Sequence, residues 1–458
     1  MGVISAFFNS KVYSFEEAFG SKDITTENMK AAIQDWLNLY FSAGSKAKGE
    51  DDCMRIPVVI VNKLTKAMFG EYKTESKNDF EKRILKTLND KKGGIMQKLF
   101  IGGECFIKPV PTLDKKGFYF VIVRRDCFIP LAENADEELT SVGMAETTTV
   151  GGKYYTLLEK RTANGGKHGG LLIENKLYMS TVKGVIGRSI ALKTLPQYAN
   201  LEPETELMID GLGMVNIRTP LNNTVDDSRD AVAIFAPADK IIHNINTNEE
   251  QLKHEFKNGQ SKIIAPKSMV KKSGNSYSFD DNLFIKLSSD PEDMKPVIFS
   301  PEFREQSYHE RRNGYLKICE NILALKRGIL SEVEAVERTA TEITSSEGDY
   351  NLTIIDLQSI WATAALETLE LCERLGQIYH IPVEHVGEND VTFDFGDGVL
   401  FNRDKTWTEY KELVQMGLLK PEIAVAWYFK LPCKTAKELE DIRTNYMPEI
   451  QQLAAGEE

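Results

Sequence analysis

Residues 352–379 read LTIIDLQSIWATAALETLELCERLGQIY, the most regular segment of a 458-residue chain. Ile354, Leu357, Trp361, Ala365, Cys372, Leu375 and Tyr379 recur at helical steps, while Asp356, Ser359, Thr363, Glu367, Glu370, Arg374 and Gln377 form the opposing polar stripe. At 1.5 Å per residue such a helix is about 40 Å long, enough to span a domain, so the rest of the fold has to be arranged along it. Pro382 marks its end. The fifteen residues before it, ERTATEITSSEGDYN at 337–351, hold three Thr, two Ser and one Gly. Thr and Ser side chains compete for backbone hydrogen bonds, so this stretch reads as a polar interruption between two helices.

Upstream the texture is mixed. ENMKAAIQDWLNLYF (27–41) places Met29, Ile33, Trp36, Leu37 and Tyr40 on one stripe, and further helices are expected over 57–69 and 78–89. KLFIGGECFIKPV and GFYFVIVRR then read as strands around the turn-like PTLDKK, with more strands over 147–159 and 170–178. Residues 1–225 are therefore expected to form an α+β domain. From Phe235, FAPADKIIHNINTNEEQLKHEFKNG spaces Ile241, Ile245, Leu252 and Phe256 in helical steps and closes at Gly259. Residues 261–299 form a β-rich island broken by Ser-Gly-Asn and Asp-Pro turns. Helical texture returns over 301–325. After the long helix come a strand-like VTFDF and two helices, 407–416 and 434–445.

Fifty-six Lys+Arg against 68 Asp+Glu leave a net charge of −12, which excludes capture of nucleic acid by the surface as a whole; any DNA contact has to be local. The six cysteines (53, 105, 127, 319, 372 and 433) show no CxxC and no short Cys/His spacing, which predicts reduced thiols and neither a disulfide frame nor a zinc site. The histidines read as structural or surface groups. MGVISAFFNSKVYSF lacks a basic start and a full apolar core, and Ala6 stands where a myristoylation signal needs a hydroxyl. No apolar run approaches the roughly 20 residues that span a bilayer, so a cytoplasmic chain without a membrane partner is expected.

Chemical motifs are scarce. Gly151-Gly152-Lys153 continues with Tyr154 and lacks the hydroxyl and upstream Gly of a phosphate-binding loop. Gly211-Leu212-Gly213 is a turn-like fragment of a dinucleotide fingerprint, and GVIGRS lacks nucleophile-elbow spacing. The acidic pairs Asp51/Asp52, Asp226/Asp227 and Asp280/Asp281 lie in polar, loop-like segments and read as solvated, so no metal, cofactor or catalytic residue is assigned. Lys253, Lys257, Lys262, Lys267, Lys271 and Lys272 cluster without a compensating acid from 257 to 272, either as a solvated positive face or as a local contact for phosphates.

Five segments follow one another in a telling order: ENMKAAIQDWLNLY, DGLGMVNIRTPLNN, AVAIFAPADKIIHNINTNEEQLKHEFKNGQSKIIAP, the RGILSEVE link, and RTATEITSSEGDYN leading into the long helix. The series resembles the portal proteins of tailed bacteriophages, specifically those of long-tailed phages of Gram-positive hosts. The Thr-Ala-Thr-Glu run is similar to that family's signature, and the Gly-Ile-Leu-Ser link to its Gly-Leu-Ser segment. Two departures stand out: DDSRDAV replaces an expected Ser-Pro-Leu-Gly before the third segment, and the C-terminal region is short.

The resemblance implies a portal fold with a wing (1–235 and 352–405), stem helices (236–259 and 301–336, the latter with its link), a small α/β clip (260–300), a tunnel loop (337–351) and a helical crown (406–458). Thr344, Ser345, Ser346, Glu347, Gly348, Asp349 and Tyr350 would be the DNA-facing loop, and the lysine cluster a contact for DNA or for the packaging motor. It further implies a ring, typically of twelve subunits, at one vertex of the phage head. Double-stranded DNA passes through that ring, and the implied partners are the terminase large subunit, the head–tail adaptor, and the major capsid and scaffold proteins. The chain would act in the virion after assembly in the host cytoplasm, with no enzymatic activity of its own. Another virion or baseplate ring without a DNA channel, or a nucleotide hydrolase with a degenerate site, stay open as alternatives.

Overall fold

The computed structural model describes residues 15–41, 54–112, 114–259, 262–265, 284–286, 297–299, 302–332, 340–387, 391–396, 403–429, 431–433 and 435–447. It divides into two units, Met1–Phe69 with Thr74–Phe393, and Gly70–Lys73 with Asp394–Glu458.

The first unit opens with helices α1 (Phe15–Phe19), α2 (Glu27–Tyr40) and α3 (Ile56–Phe69), followed by strand β1 (Lys73–Ser76), which straddles the boundary between the units, and helices α4 (Asp79–Asn89) and α5 (Lys92–Gly102). The Thr26 side chain caps α2 by accepting from the Met29 amide, and Asn78 caps α4 in the same way through Glu81. Met29, Ile33, Trp36 and Leu37 are buried as their spacing predicts; Leu39 joins them, and Tyr40 is only half-buried.

The run KLFIGGECFIKPV is not one strand. Residues 98–102 end α5, and strand β2 (Glu104–Pro111) begins after Gly103. Periodicity cannot separate a short buried strand from the end of a buried helix, and here a glycine decides. Gly103 adopts φ +80°, and a Cβ on it would lie 2.4 Å from the Ala231 carbonyl oxygen, so only glycine turns the chain here.

Strands β3 (Phe118–Arg124), β4 (Phe128–Glu133), β5 (Leu139–Val150), β6 (Lys153–Thr162), β7 (Leu171–Ser180), β8 (Arg188–Ile190), β9 (Glu204–Leu207) and β10 (Val215–Arg218) complete two antiparallel sheets. One has the order β10-β2-β3; the other runs β4-β5-β6-β7-β8, with β9 also on β7. The strand expected over 147–159 is a hairpin, because Gly151 and Gly152 at φ +57° and +74° supply the turn its twist requires. Phe106, Phe128, Val142 and Met144 pack between the sheets, with the Phe106 and Phe128 rings edge to face at 4.8 Å.

Helix α6 (Asp239–Asn258), strands β11 (Lys262–Ala265), β12 (Phe284–Lys286) and β13 (Val297–Phe299) and helix α7 (Glu305–Ile322) follow. The three strands form a sheet of order β12-β11-β13, parallel on one side of β11 and antiparallel on the other. Helix α8 (Ala340–Tyr379) has 40 residues and a length of about 60 Å. All seven residues of its expected polar stripe are exposed, and Ile354, Leu357, Trp361, Ala365, Cys372 and Leu375 are buried. Trp361 meets the Phe69 ring edge to face at 5.4 Å, and Gln358 Nε2 donates to the Met68 carbonyl at 3.2 Å. Strand β14 (Val391–Asp394) is the expected VTFDF strand.

In the second unit, α9 (Arg403–Gln415), α10 (Pro421–Phe429) and α11 (Ala436–Tyr446) gather aromatic rings: Tyr410 stacks on Trp427 at 5.0 Å, and Phe429 lies 5.7 Å from Tyr446. Thr435 and Glu438 close a reciprocal capping box at the start of α11. Helix α10 is absent from the sequence reading because PEIAVAWYF is apolar nearly all round and has no helical period to detect.

Candidate functional site

Helices α6 and α7 form a two-legged hairpin of about 30 and 27 Å that carries the three-stranded sheet between its legs in sequence. At the sheet end the legs are clamped. Arg304 Nε donates to Glu255 Oε1 at 3.0 Å, its second nitrogen reaches Oε2, and Phe256 stacks on Phe303 at 5.2 Å. Gly259 makes that closure possible, since a Cβ there would lie 2.5 Å from the Phe303 ring. Midway, Asn248 Nδ2 donates to the Tyr308 carbonyl at 3.1 Å. At the opposite end His243 bonds Asp35 at 2.7 Å, and the Met54 amide donates to Asn246 at 2.9 Å, tying the hairpin to the body of the unit. Ile245 and Leu252 are buried as expected, whereas Ile241 is half-buried and Phe256 is 43% exposed.

Of the clustered lysines, Lys253 and Lys257 are exposed on the last turns of α6, and Lys262 begins β11. Lys267, Lys271 and Lys272 lie outside the described residues.

The RGILS link owes its shape to one carboxylate. Glu320, fully buried at the end of α7, accepts from the amides of Gly328 (3.1 Å), Leu330 (2.7 Å) and Ser331 (2.9 Å) through Oε1, and from the Ser331 hydroxyl (2.7 Å) through Oε2. Gly328 at φ +90° bends the chain to bring these donors together. A buried carboxylate is costly unless its lone pairs are filled, and here four donors fill them. Glu320 was not singled out in the sequence; the link's small residues are its only local signal.

Thr344–Tyr350 departs from its expected form. The backbone is helical from Ala340, continuous with the rest of α8, and is not a loop. The polar run lacks proline, Ala, Glu and Ile support helix, and extending an existing helix costs far less than starting one; Gly348 weakens the segment by about 1 kcal/mol without breaking it. Asp349 is exposed, its carbonyl accepts from the Thr353 hydroxyl at 3.1 Å, and burial raises the pKa of half-buried Tyr350. The side chains of 344–348 lie outside the described residues.

The unusual DDSRDAV junction holds one set of the body's buried charges. Arg229 donates to Glu104 Oε1 at 2.6 Å, and Arg125, with no exposed surface, donates to Asp230 (3.1 Å), Thr25 Oγ1 (3.1 Å) and the Phe128 carbonyl (3.2 Å). Burial raises the pKa of Asp230 against the pull of Arg125. A second network joins Lys108, Glu159 and Arg161. Burial alone would push the Glu159 carboxyl up, but the two cations hold it down at about 2. Asp226 is occupied by Asn223 (2.9 Å), the Ser228 amide (3.1 Å) and Thr26, while Asp51/Asp52 and Asp280/Asp281 lie outside the described residues. Among the described residues no three His, Cys, Asp or Glu side chains converge to hold a metal.

The family model described as "Phage portal protein, SPP1 Gp6-like" matches residues 28–448. The chain belongs to this phage portal protein family. The portal protein is thus a structural component at the vertex of a phage head, and its mixed helix-and-sheet architecture is the family's. It is also similar to chains in two solved structures of a gene transfer agent (GTA). A chain in "Neck of native GTA particle computed with C12 symmetry" shares 12% identity, with 90% of this chain and 96% of that chain covered and a TM-score of 0.47. One in "Virion of native gene transfer agent (GTA) particle" shares 12%, with 84% and 93% covered and a TM-score of 0.43. No match is found among curated proteins. The assignment rests on the family model. No described helix is long and apolar enough to cross a membrane.

Proposed function

We propose that this portal protein forms a ring of twelve subunits through which double-stranded DNA enters the head during packaging and leaves at ejection. The α6–α7 hairpin is the stem, residues 260–300 are the clip, the N-terminal part of α8 faces the DNA, and residues from 406 form the crown. The observation that carries this reading is the clamped hairpin bearing a small sheet in a chain of the portal family. The sheet end, with Lys253 and Lys257 beside it, is the surface offered to the terminase large subunit and later to the head–tail adaptor. The wing meets the major capsid and scaffold proteins, and assembly takes place in the host cytoplasm.

The chain supplies no catalysis in this scheme, and the energy of packaging comes from the terminase. Its task is to let a polyanion slide. Every phosphate that it neutralised would add affinity through counterion release and slow the passage. Twelve chains at −12 each carry about −144 formally, a ring that repels DNA more than it holds it. Ser345 and Ser346 are short and uncharged, suited to touching DNA without gripping it.

A phage carrying Ser345→Arg with Ser346→Arg tests the assignment, since arginine suits a helix but grips phosphate. Ring and head assembly should be normal, with fewer DNA-filled heads and a deficit that shrinks as salt rises. Normal yields of filled heads at low salt would remove the DNA-facing role from this segment.

A further inference from the structure

Where DDSRDAV departs from the family pattern, the chain builds a cavity. Its residues 227–230 line about 200 Å³ together with Ile24 and with Glu133 and Glu137 at the β4–β5 turn. Pockets for drug-sized ligands run to about 300–1,000 Å³, so this one is suited to a single long side chain. Glu133, Glu137 and Asp227 are exposed at the rim, and among the described residues their carboxylates have no ion-pair or hydrogen-bond partner. Arg229 and Asp230, 7% and 4% exposed, form the floor, and their charges are balanced within the fold by Glu104 and Arg125. The rim is left with negative charge that nothing offsets.

The floor has an unmet need of its own. Arg229 donates to Glu104 through one terminal nitrogen, but its Nε and Nη1 have no hydrogen-bond acceptor, with Nη1 3.8 Å from Asp230 Oδ1. A buried N–H without an acceptor is costly, so the floor calls for an oxygen that the chain does not supply.

These groups sort the possible occupants. The rim repels phosphate, and its carboxylates do not converge to hold a metal ion. A simple amine would answer the rim and leave Arg229 unfilled. We propose that the cavity receives an arginine side chain of a partner protein, its guanidinium spread across Glu133, Glu137 and Asp227, while a main-chain carbonyl beside it accepts from Arg229. A guanidinium presents five N–H donors in a fan and so bridges carboxylates that cannot share one ion. Ile24, 41% exposed, covers the methylene stem. The site lies within one subunit and stands whether or not the chain closes a ring.

The test titrates the full-length chain with acetyl-Ala-Arg-Ala-amide at low salt, with binding followed by ligand-observed NMR. Saturable binding is expected, at least about tenfold tighter than that of acetyl-Ala-Gln-Ala-amide. The triple variant Glu133→Gln, Glu137→Gln, Asp227→Asn alters only exposed groups, and asparagine tolerates the φ of +57° at 227. It should give the wild-type circular dichroism spectrum and lose the preference for arginine, whereas Asp136→Asn with Glu138→Gln in the same turn keeps it. Equal binding of the two peptides, binding of neither, or an unchanged preference in the triple variant would overturn the proposal. So would spermidine that competes with the arginine peptide at equal affinity, because the occupant would then be a free amine.

Discussion

At the scale of single residues, a few side chains and one glycine hold the architecture in place. Glu320 gathers four donors from the link, so Glu320→Ala strands three amides and a hydroxyl. Unsatisfied buried groups cost about 1–3 kcal/mol each, and hydrogen exchange at Gly328, Leu330 and Ser331 should quicken at least about tenfold; unchanged rates would mean that the link is held by other contacts. Gly103→Ala puts a methyl against the Ala231 carbonyl at φ +80° and should lower stability by more than about 2 kcal/mol, read as a fall in the denaturant midpoint. Glu159 gives a pH signature. Its carboxyl sits at about 2 in the fold against an ordinary 4.5, so its contribution is complete above 4.5 and drains away as pH falls from there toward 2. Between about pH 6 and about pH 3 the wild type should therefore lose more melting temperature than Glu159→Gln. Equal losses would show that Lys108 and Arg161 do not depress this group.

Among the elements, α8 is the organiser. Trp361 is its largest fully buried side chain, packed on Phe69, and Trp361→Ala should cost about 3–5 kcal/mol in chemical denaturation. A loss under about 1 kcal/mol would mean that the helix does not anchor the body. This helix was legible because its two stripes repeat over eight turns and tertiary packing follows the same period. The helical state of Thr344–Tyr350 was not legible: Ser, Thr and Gly are weak helix formers taken singly, and propagation from a strong helix outweighs them. The α5–β2 boundary was hidden because both sides are apolar, and Gly103 alone carries the break. Helix α10 was hidden because it is apolar nearly all round. The buried charges at Arg229 and Asp230 had a visible trace, the departure of DDSRDAV from the family pattern, but their partners Glu104 and Arg125 lie more than a hundred residues away. Contacts at that separation leave no local period in a sequence.

For the whole molecule, a net charge of −12 is consistent with a conduit that guides DNA without holding it. The family assignment makes the protein a portal. Electron microscopy of the purified full-length oligomer tests this most directly. The account predicts closed rings with a central channel wide enough for duplex DNA, with the α6–α7 hairpins lining up side by side around it. A compact monomer, an open tube, or a ring whose centre is too narrow for the duplex would contradict it.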